Sequence, residues 1–197
     1  MSGVDGPPGA DQGLPDDPPA FSPSETFASE RIYASPWVGL RRDTLVLPDG
    51  SLQEHHVVEI PDAAVVVPVL QDQRILLIGQ YRYVHHRTHW ELPAGRIAPG
   101  ERPRDAAVRE LLEETGYRAE SLVPLPGFYP TNGISAHFAH AFVACGCQRA
   151  GVQQLEPSER ILLRAFERRE VEALLDAGRI LDAFAALPLL YYLRTRH

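Results

Sequence analysis

The stretch from Gly95 to Tyr117 constrains this chain more than any other. It runs Gly95-Arg96-Ile97-Ala98-Pro99-Gly100-Glu101, then Arg102 to Val108, then Arg109-Glu110-Leu111-Leu112-Glu113-Glu114-Thr115-Gly116-Tyr117. Gly95, Pro99 and Gly100 mark a tight loop. Pro103 suits a first helical turn, and Asp105 favours its positive end. Ala106 to Thr115 are good helix formers, and Gly116 is a natural stop. On that helix Glu110, Glu113 and Glu114 stand at i, i+3 and i+4 and share a face. Ala107, Val108, Leu111 and Leu112 fall mostly on the other side, where they can face a core. Arg109, four residues before Glu113, can pair with it. Three carboxylates so close repel one another, and a hard cation such as Mg²⁺, which takes oxygen ligands, resolves the repulsion. The bland alternative is a solvated acidic face, which is what most helical Glu clusters are.

Composition matters through what it excludes. The 197 residues carry a net charge of −7, which argues against a general nucleic-acid backbone binder. A small phosphate substrate stays open, because a metal can bridge acid to acid. No apolar run is long enough for a transmembrane helix. The N-terminus lacks a basic region followed by an apolar core, so it does not read as a signal peptide. The expectation is a cytoplasmic protein with no membrane partner. Cys145 and Cys147 are too close for an ordinary disulfide framework and read as reduced thiols.

Residues 1–27, rich in Pro, Gly, Asp and Ser, read as a disordered or loosely packed tail. Residues 28–60 read as a small antiparallel β element, with Pro48-Asp49-Gly50-Ser51 as a hairpin signal. Two or three strands alone are marginal, so this element must pack on the main domain or on a second subunit. Residues 61–197 form the main domain. Ala63 to Leu70 is a buried strand, Arg74 to Gln80 the next, and His85 to His89 a polar loop. Three histidines there invite a zinc reading, but such loop clusters are usually just exposed. Ala119 to Pro126 with Phe128-Tyr129, Phe138 to Ala144 and Arg160 to Phe166 read as strands, with a polar loop over Gln148 to Ser158. Glu167 to Ala177 reads as a helix, and Asp182 can cap a last helix, Ala183 to Arg194, kinked at Pro188.

The loop and helix together resemble the signature of the Nudix hydrolases: a glycine, a glutamate six on, then Arg-Glu-aliphatic-x-Glu-Glu-x-Gly-aliphatic. Seven fixed residues and one apolar position agree, a chance on the order of 10⁻⁹ at a given start. Tyr117 is the one soft departure. Gln80-Tyr81-Arg82-Tyr83, Trp90-Glu91-Leu92-Pro93-Ala94-Gly95 and Gly178-Arg179-Ile180-Leu181-Asp182-Ala183 resemble the ADP-ribose and nucleoside-diphosphate-sugar pyrophosphatase branch. The likeness runs from about Arg31 to Leu193. It implies an α/β fold: an α/β/α sandwich around a mixed sheet, preceded by a small N-terminal antiparallel sheet that reaches a second subunit in a homodimer. It implies Mg²⁺ as cofactor, with Mn²⁺ as a substitute, and a nucleotide-sugar substrate. Glu110, Glu114 and the Ala94 carbonyl then resemble metal ligands, with Glu113 ligating directly or through water. Gly95, Glu101, Arg109 and Gly116 resemble structural members. Arg82 resembles the arginine that meets the diphosphate, with Tyr81 and Trp37 as further substrate contacts. A glutamate from the late loop, Glu159 or else Glu156, completes the site as ligand or general base. The implied reaction is Mg²⁺-dependent hydrolysis of ADP-ribose to AMP and ribose 5-phosphate. Another nucleotide sugar or a dinucleotide is the alternative substrate.

Three departures fall in substrate-recognition regions. Thr131-Asn132-Gly133 stands where Ser-Pro-Gly is usual. No acidic residue follows in Ser135-Ala136-His137. An arginine near the return strand of the N-terminal sheet is replaced around Glu54-His55-His56. They leave the chemistry standing and bear on the choice of sugar or base. A non-catalytic ligand sensor is the rival class, but such domains usually lose a signature glutamate, and here all are present.

Overall fold

Ala-Ala-Val-Val-Val-Pro-Val-Leu, residues Ala63–Leu70, contains no polar side chain, and every one of its residues is buried. It is the centre of the computed structural model, which describes residues 17–19 and 25–194. The tail expected over residues 1–27 therefore lies largely outside the described residues; its last three residues already belong to a strand that begins at Glu25.

Two units are distinct in the chain: residues 25–60 with Thr131–Ala136, and Pro61–Pro130 with the remainder from His137. In the first, strands β1 (Glu25–Ala34), β2 (Gly39–Val46) and β3 (Leu52–Glu59) form a three-stranded antiparallel sheet. The β2–β3 turn is the expected hairpin. Gly50 takes φ +81°, and Asp49 accepts the Ser51 N–H at 2.9 Å. Val58 donates its N–H to the Ile134 carbonyl, which ties segment 131–136 to this sheet. All ten β1 residues are exposed.

The second unit is built on a mixed sheet. Its strands are β4 (Ala63–Leu70), β5 (Ile75–Arg82), β6 (Arg87–Glu91), β7 (Ala94–Arg96), β8 (Tyr117–Arg118), β9 (Ser121–Pro124), β10 (Ala139–Arg149) and β11 (Ile161–Phe166). The main order is β11-β5-β4-β10-β8, with β6 on β5, β7 on β4 and β9 on β10. Among the described residues only the β4–β10 pair is parallel. Period-2 alternation sends Val65, Val67 and Val69 to one face of β4, and Ala64, Val66 and Leu70 to the other. The first face packs under helices α2 (Arg168–Asp176) and α3 (Ala183–Arg194) through Val171, Leu189 and Tyr192. The second packs under α1 (Pro103–Thr115) through Ala106, Ala107 and Leu111. This is the expected α/β/α arrangement, preceded by the small antiparallel sheet.

The structure departs from the expected elements in several places. His85 to His89 is not a loop: a short 3₁₀ turn (Tyr83–His85) leads through His86, at φ +51°, into β6, which pairs along β5. Its polar look hid an alternation in which Trp90 packs edge-on to Phe166, ring centroids 5.0 Å apart. Residues 119–129 are not one strand. They split into β9 and a single bridge from Phe128 to Ala139. β10 continues past Ala144 to Arg149, because Gly146 at φ +63° absorbs an irregularity between Ala144 and Cys147. Finally, Val108 is exposed, and Ala106 fills the core position instead.

Candidate active site

Helix α1 is closed as its residues require. Pro103 stands in the first turn, and Gly116 sits at φ +74° and donates its N–H to the Leu112 carbonyl. The direction of its acid face is less expected. Glu110 and Glu114 do not lie opposite the core residues; they continue the inner stripe of Ala107 and Leu111. Glu114 is 3 % exposed, and the Glu110 side chain 12 %. Glu113, at 39 %, lies at the edge of this stripe.

The loop before the helix makes that burial feasible. Glu101 accepts two hydrogen bonds from Arg109, Nε at 2.9 Å and Nη2 at 3.0 Å, and one from the Ala98 N–H at 2.9 Å. These hold its carboxyl down to about 2, the Arg109 bonds contributing most. Arg109 also donates to the Arg96 carbonyl at 2.9 Å, to Glu110 at 2.6 Å and to Glu113 at 3.1 Å. One guanidinium thus joins loop, strand and helix, a use suited to its fork of five donors. Gly95 has an ordinary φ, yet a Cβ there would fall 2.0 Å from Glu110 Oε1. It is glycine because a carboxylate lies flat against it, not because of backbone strain.

Glu114 Oε2 accepts the Ala94 N–H at 3.0 Å. Burial pushes the Glu114 carboxyl up to about 8; the charges of Glu110 and Glu159 add to this, and the Ala94 N–H and Arg82 oppose it. Burial also raises Glu110, against the pull of Arg109, and the charges of Glu113 and Glu159 act in the same direction. Among the described residues no three His, Cys, Asp or Glu side chains are already gathered as a metal cage. The donor set nevertheless fits a hard divalent cation. Glu114, whose carboxyl burial has raised, and Glu110, lying in a cradle that a Cβ at Gly95 would fill, offer the oxygen ligands such an ion takes.

Strand β5 ends at Arg82, which donates Nε to Glu91 Oε1 at 3.0 Å and Nη2 to Glu91 Oε2 at 2.5 Å. Glu91, on β6, is 4 % exposed. Asp182 caps α3, where its carboxylate takes the Phe184 and Ala185 N–H groups; burial raises it, with the charge of Glu91 adding. Sequence reasoning passed over Glu91 and read Asp182 only as a cap. The signal for Glu91 was there: a lone carboxylate between Trp90 and Leu92 needs a buried partner. In the late loop Glu159 is half-buried and accepts the Glu156 N–H at 2.8 Å, while Glu156 is exposed. The charge of Glu159 reaches both Glu110 and Glu114. Tyr81 is 41 % exposed at the end of β5, and Trp37, in the N-terminal unit, is 65 % exposed. His85 and His86 are exposed, and His89 is partly buried with an Nε2 that has no hydrogen-bond partner.

Residues 60–185 match the family model described as the NUDIX domain. The chain belongs to the Nudix family. In this Nudix chain, residues 25–58 match a second family model, described as the nucleoside diphosphate sugar hydrolase N-terminal domain. The ADP-ribose pyrophosphatase of Bacillus subtilis (strain 168) is 29 % identical over 171 residues, covering 85 % of this chain and 91 % of the relative. The methanol dehydrogenase activator of Bacillus methanolicus is 30 % identical over 168 residues, with the same coverages of 85 % and 91 %. The crystal structure of an ADP compounds hydrolase superposes with a TM-score of 0.78 at 20 % identity, over 89 % of this chain and 95 % of that one. That last likeness bears on the fold. The protein is a Nudix pyrophosphohydrolase, and Nudix hydrolases generally use divalent metal ions.

The buried proton on Glu114 has a measurable consequence. An unfolded glutamate titrates near about 4.3, so the folded chain keeps a proton there that the unfolded chain has lost. The stabilisation from this group is full below that value and is lost as pH rises through about 8. A cation that displaces the proton gains affinity over the same window. The thermal shift produced by added Mg²⁺, read against a chelator control, is expected to be larger at pH 8 than at pH 6. An equal shift at both would contradict the assignment.

Proposed function

We propose that this enzyme hydrolyses the diphosphate bond of a nucleoside diphosphate linked to a sugar, with Mg²⁺, converting ADP-ribose to AMP and ribose 5-phosphate. The observation that carries the reading is the pair Glu110 and Glu114, buried against Gly95 and Ala94 with the Arg82 guanidinium close enough to act on Glu114. The substrate class is supported by the N-terminal domain match and by the ADP-ribose pyrophosphatase relative.

Glu110, Glu114 and the Ala94 carbonyl would hold the metal, with Glu113 beside them. Held by these groups, a divalent ion such as Mg²⁺ would supply positive charge against the diphosphate oxygens and would make a water molecule more acidic. Arg82 offers N–H donors to the same oxygens. Glu159 takes the water's proton as the water oxygen bonds to phosphorus and the second phosphate leaves. Its charge already reaches both helix carboxylates, and its side chain is half-buried while that of Glu156 is exposed. Glu159→Gln is therefore expected to lower kcat by roughly 10²- to 10⁴-fold with KM little changed, and Glu156→Gln to do much less. Wild-type turnover in both single mutants and in the double mutant would move the base elsewhere, with His137 next to test.

The N-terminal sheet, with its exposed β1, Phe27, Tyr33 and Trp37, supports a homodimer in which this sheet meets the second subunit. Light scattering at micromolar concentration tests this, and a monomer counts against it. The function itself is tested with a panel of nucleoside diphosphate derivatives plus and minus a chelator. Release of AMP and ribose 5-phosphate only with metal supports it. No turnover of any member favours a ligand sensor.

A further inference from the structure

We propose that Glu91 is a positioning residue that sets the guanidinium of Arg82 for the diphosphate. The inference rests on the substrate reading above only in naming a diphosphate as what Arg82 meets. Three observations converge on Glu91. It is 4 % exposed, in the middle of an otherwise apolar approach to the signature loop. Both of its oxygens are occupied by one residue, Arg82, through Nε at 3.0 Å and Nη2 at 2.5 Å. The Arg82 side chain is 45 % exposed, so the guanidinium edge not held by Glu91 stays open to a ligand.

The arrangement solves two problems at once. A free arginine side chain has several rotamers, and ordering it costs affinity when the ligand must do the ordering. A two-point carboxylate clamp fixes the plane of the fork beforehand. The second problem is competition. Arg82 lies near enough to feel the charges of Asp182 and Glu114, and an unclamped guanidinium would be free to settle on Glu114 and contest it with a cation. Glu91 arises from β6 and Arg82 from the end of β5, paired in register at Ile78–Glu91 and Arg82–Arg87. The hairpin therefore fixes the clamp.

A double-mutant cycle reads this directly. The probe is inorganic pyrophosphate with Mg²⁺, its affinity measured by calorimetry, because it carries the diphosphate without base or sugar. Glu91→Gln keeps the shape and removes the charge. It is expected to weaken pyrophosphate binding roughly 10-fold or more, with Glu91→Asp recovering part of the loss. In an Arg82→Ala background the further change Glu91→Gln is expected to have almost no effect, because the residue acts through the arginine. A merely structural Glu91 would give losses that add in full, and that result overturns the proposal. So does unchanged affinity in Glu91→Gln. Steady-state kinetics on ADP-ribose with the same variants should place the loss mainly in KM. If the wild type binds pyrophosphate with the predicted coupling yet leaves ADP-ribose intact, the substrate reading fails while the clamp stands.

Discussion

Glu114→Gln is expected to reduce turnover by on the order of 10³-fold or more, with the fold retained. The loss is that of an interaction worth several kcal/mol in the transition state. The substitution is nearly isosteric. A glutamine oxygen can still accept the Ala94 N–H, whose bond to Glu114 is 3.0 Å. The side chain stays buried without a charge to bury, so the metal-free variant should melt no lower than the parent. Above pH 8 it should melt higher, since the parent then carries an ionised group at 3 % exposure. Activity and stability thus move in opposite directions, a pattern expected of a functional carboxylate in a hostile setting. Circular dichroism melts beside initial rates check both. Full activity in the variant would remove Glu114 from the metal site.

Gly95→Ala should be nearly as damaging by a different route. The added methyl would stand 2.0 Å from Glu110 Oε1 and 2.2 Å from its Cδ, so the carboxylate must leave. Because the displaced atoms end a flexible side chain, the fold can yield at small cost. The backbone of Gly95 needs no left-handed φ, so no strain is added there. What is lost is the position of one ligand. A rate fall of about 10²-fold or more is expected, following the sensitivity of oriented catalytic groups to displacements of about 1 Å. Stability should change little. The matching control is Gly116→Ala, where φ is +74° and the Gly151 carbonyl lies 2.6 Å from the new Cβ. There the thermal midpoint should fall, because backbone rather than a side chain must move. Equal stability losses at the two glycines would contradict the distinction.

Much of this was legible in the residues, for identifiable reasons. The α1 boundaries followed from Pro103 and Gly116, whose backbone preferences act locally. The β2–β3 hairpin followed from Asp49-Gly50 for the same reason. The ion pair of Arg109 with Glu113 was a helical-spacing argument, but spacing could not show that the same guanidinium also holds Glu101, Glu110 and the Arg96 carbonyl. Those partners are brought in by β7 and its loop. The rule that charges face outward placed Glu110 and Glu114 opposite the core, and the structure reversed it. A helix that serves a buried site puts acid where a core helix puts leucine. β6 was missed because Arg87, Thr88 and His89 look like a loop until β5 supplies their ladder partners. Arg82 and Glu91 are nine residues apart, so their clamp exists only through that hairpin. The irregular β10 turned on one glycine, Gly146, between two cysteines. Local chemistry was readable; what depended on strand pairing was not.

The most direct test of the account is to run the reaction in ¹⁸O-labelled water with ADP-ribose and Mg²⁺ and weigh the products. AMP and ribose 5-phosphate are expected, with one labelled oxygen in the phosphate of one of them and none when a chelator is present. Release of adenine, or of ADP with free ribose, or metal-independent cleavage, would contradict it.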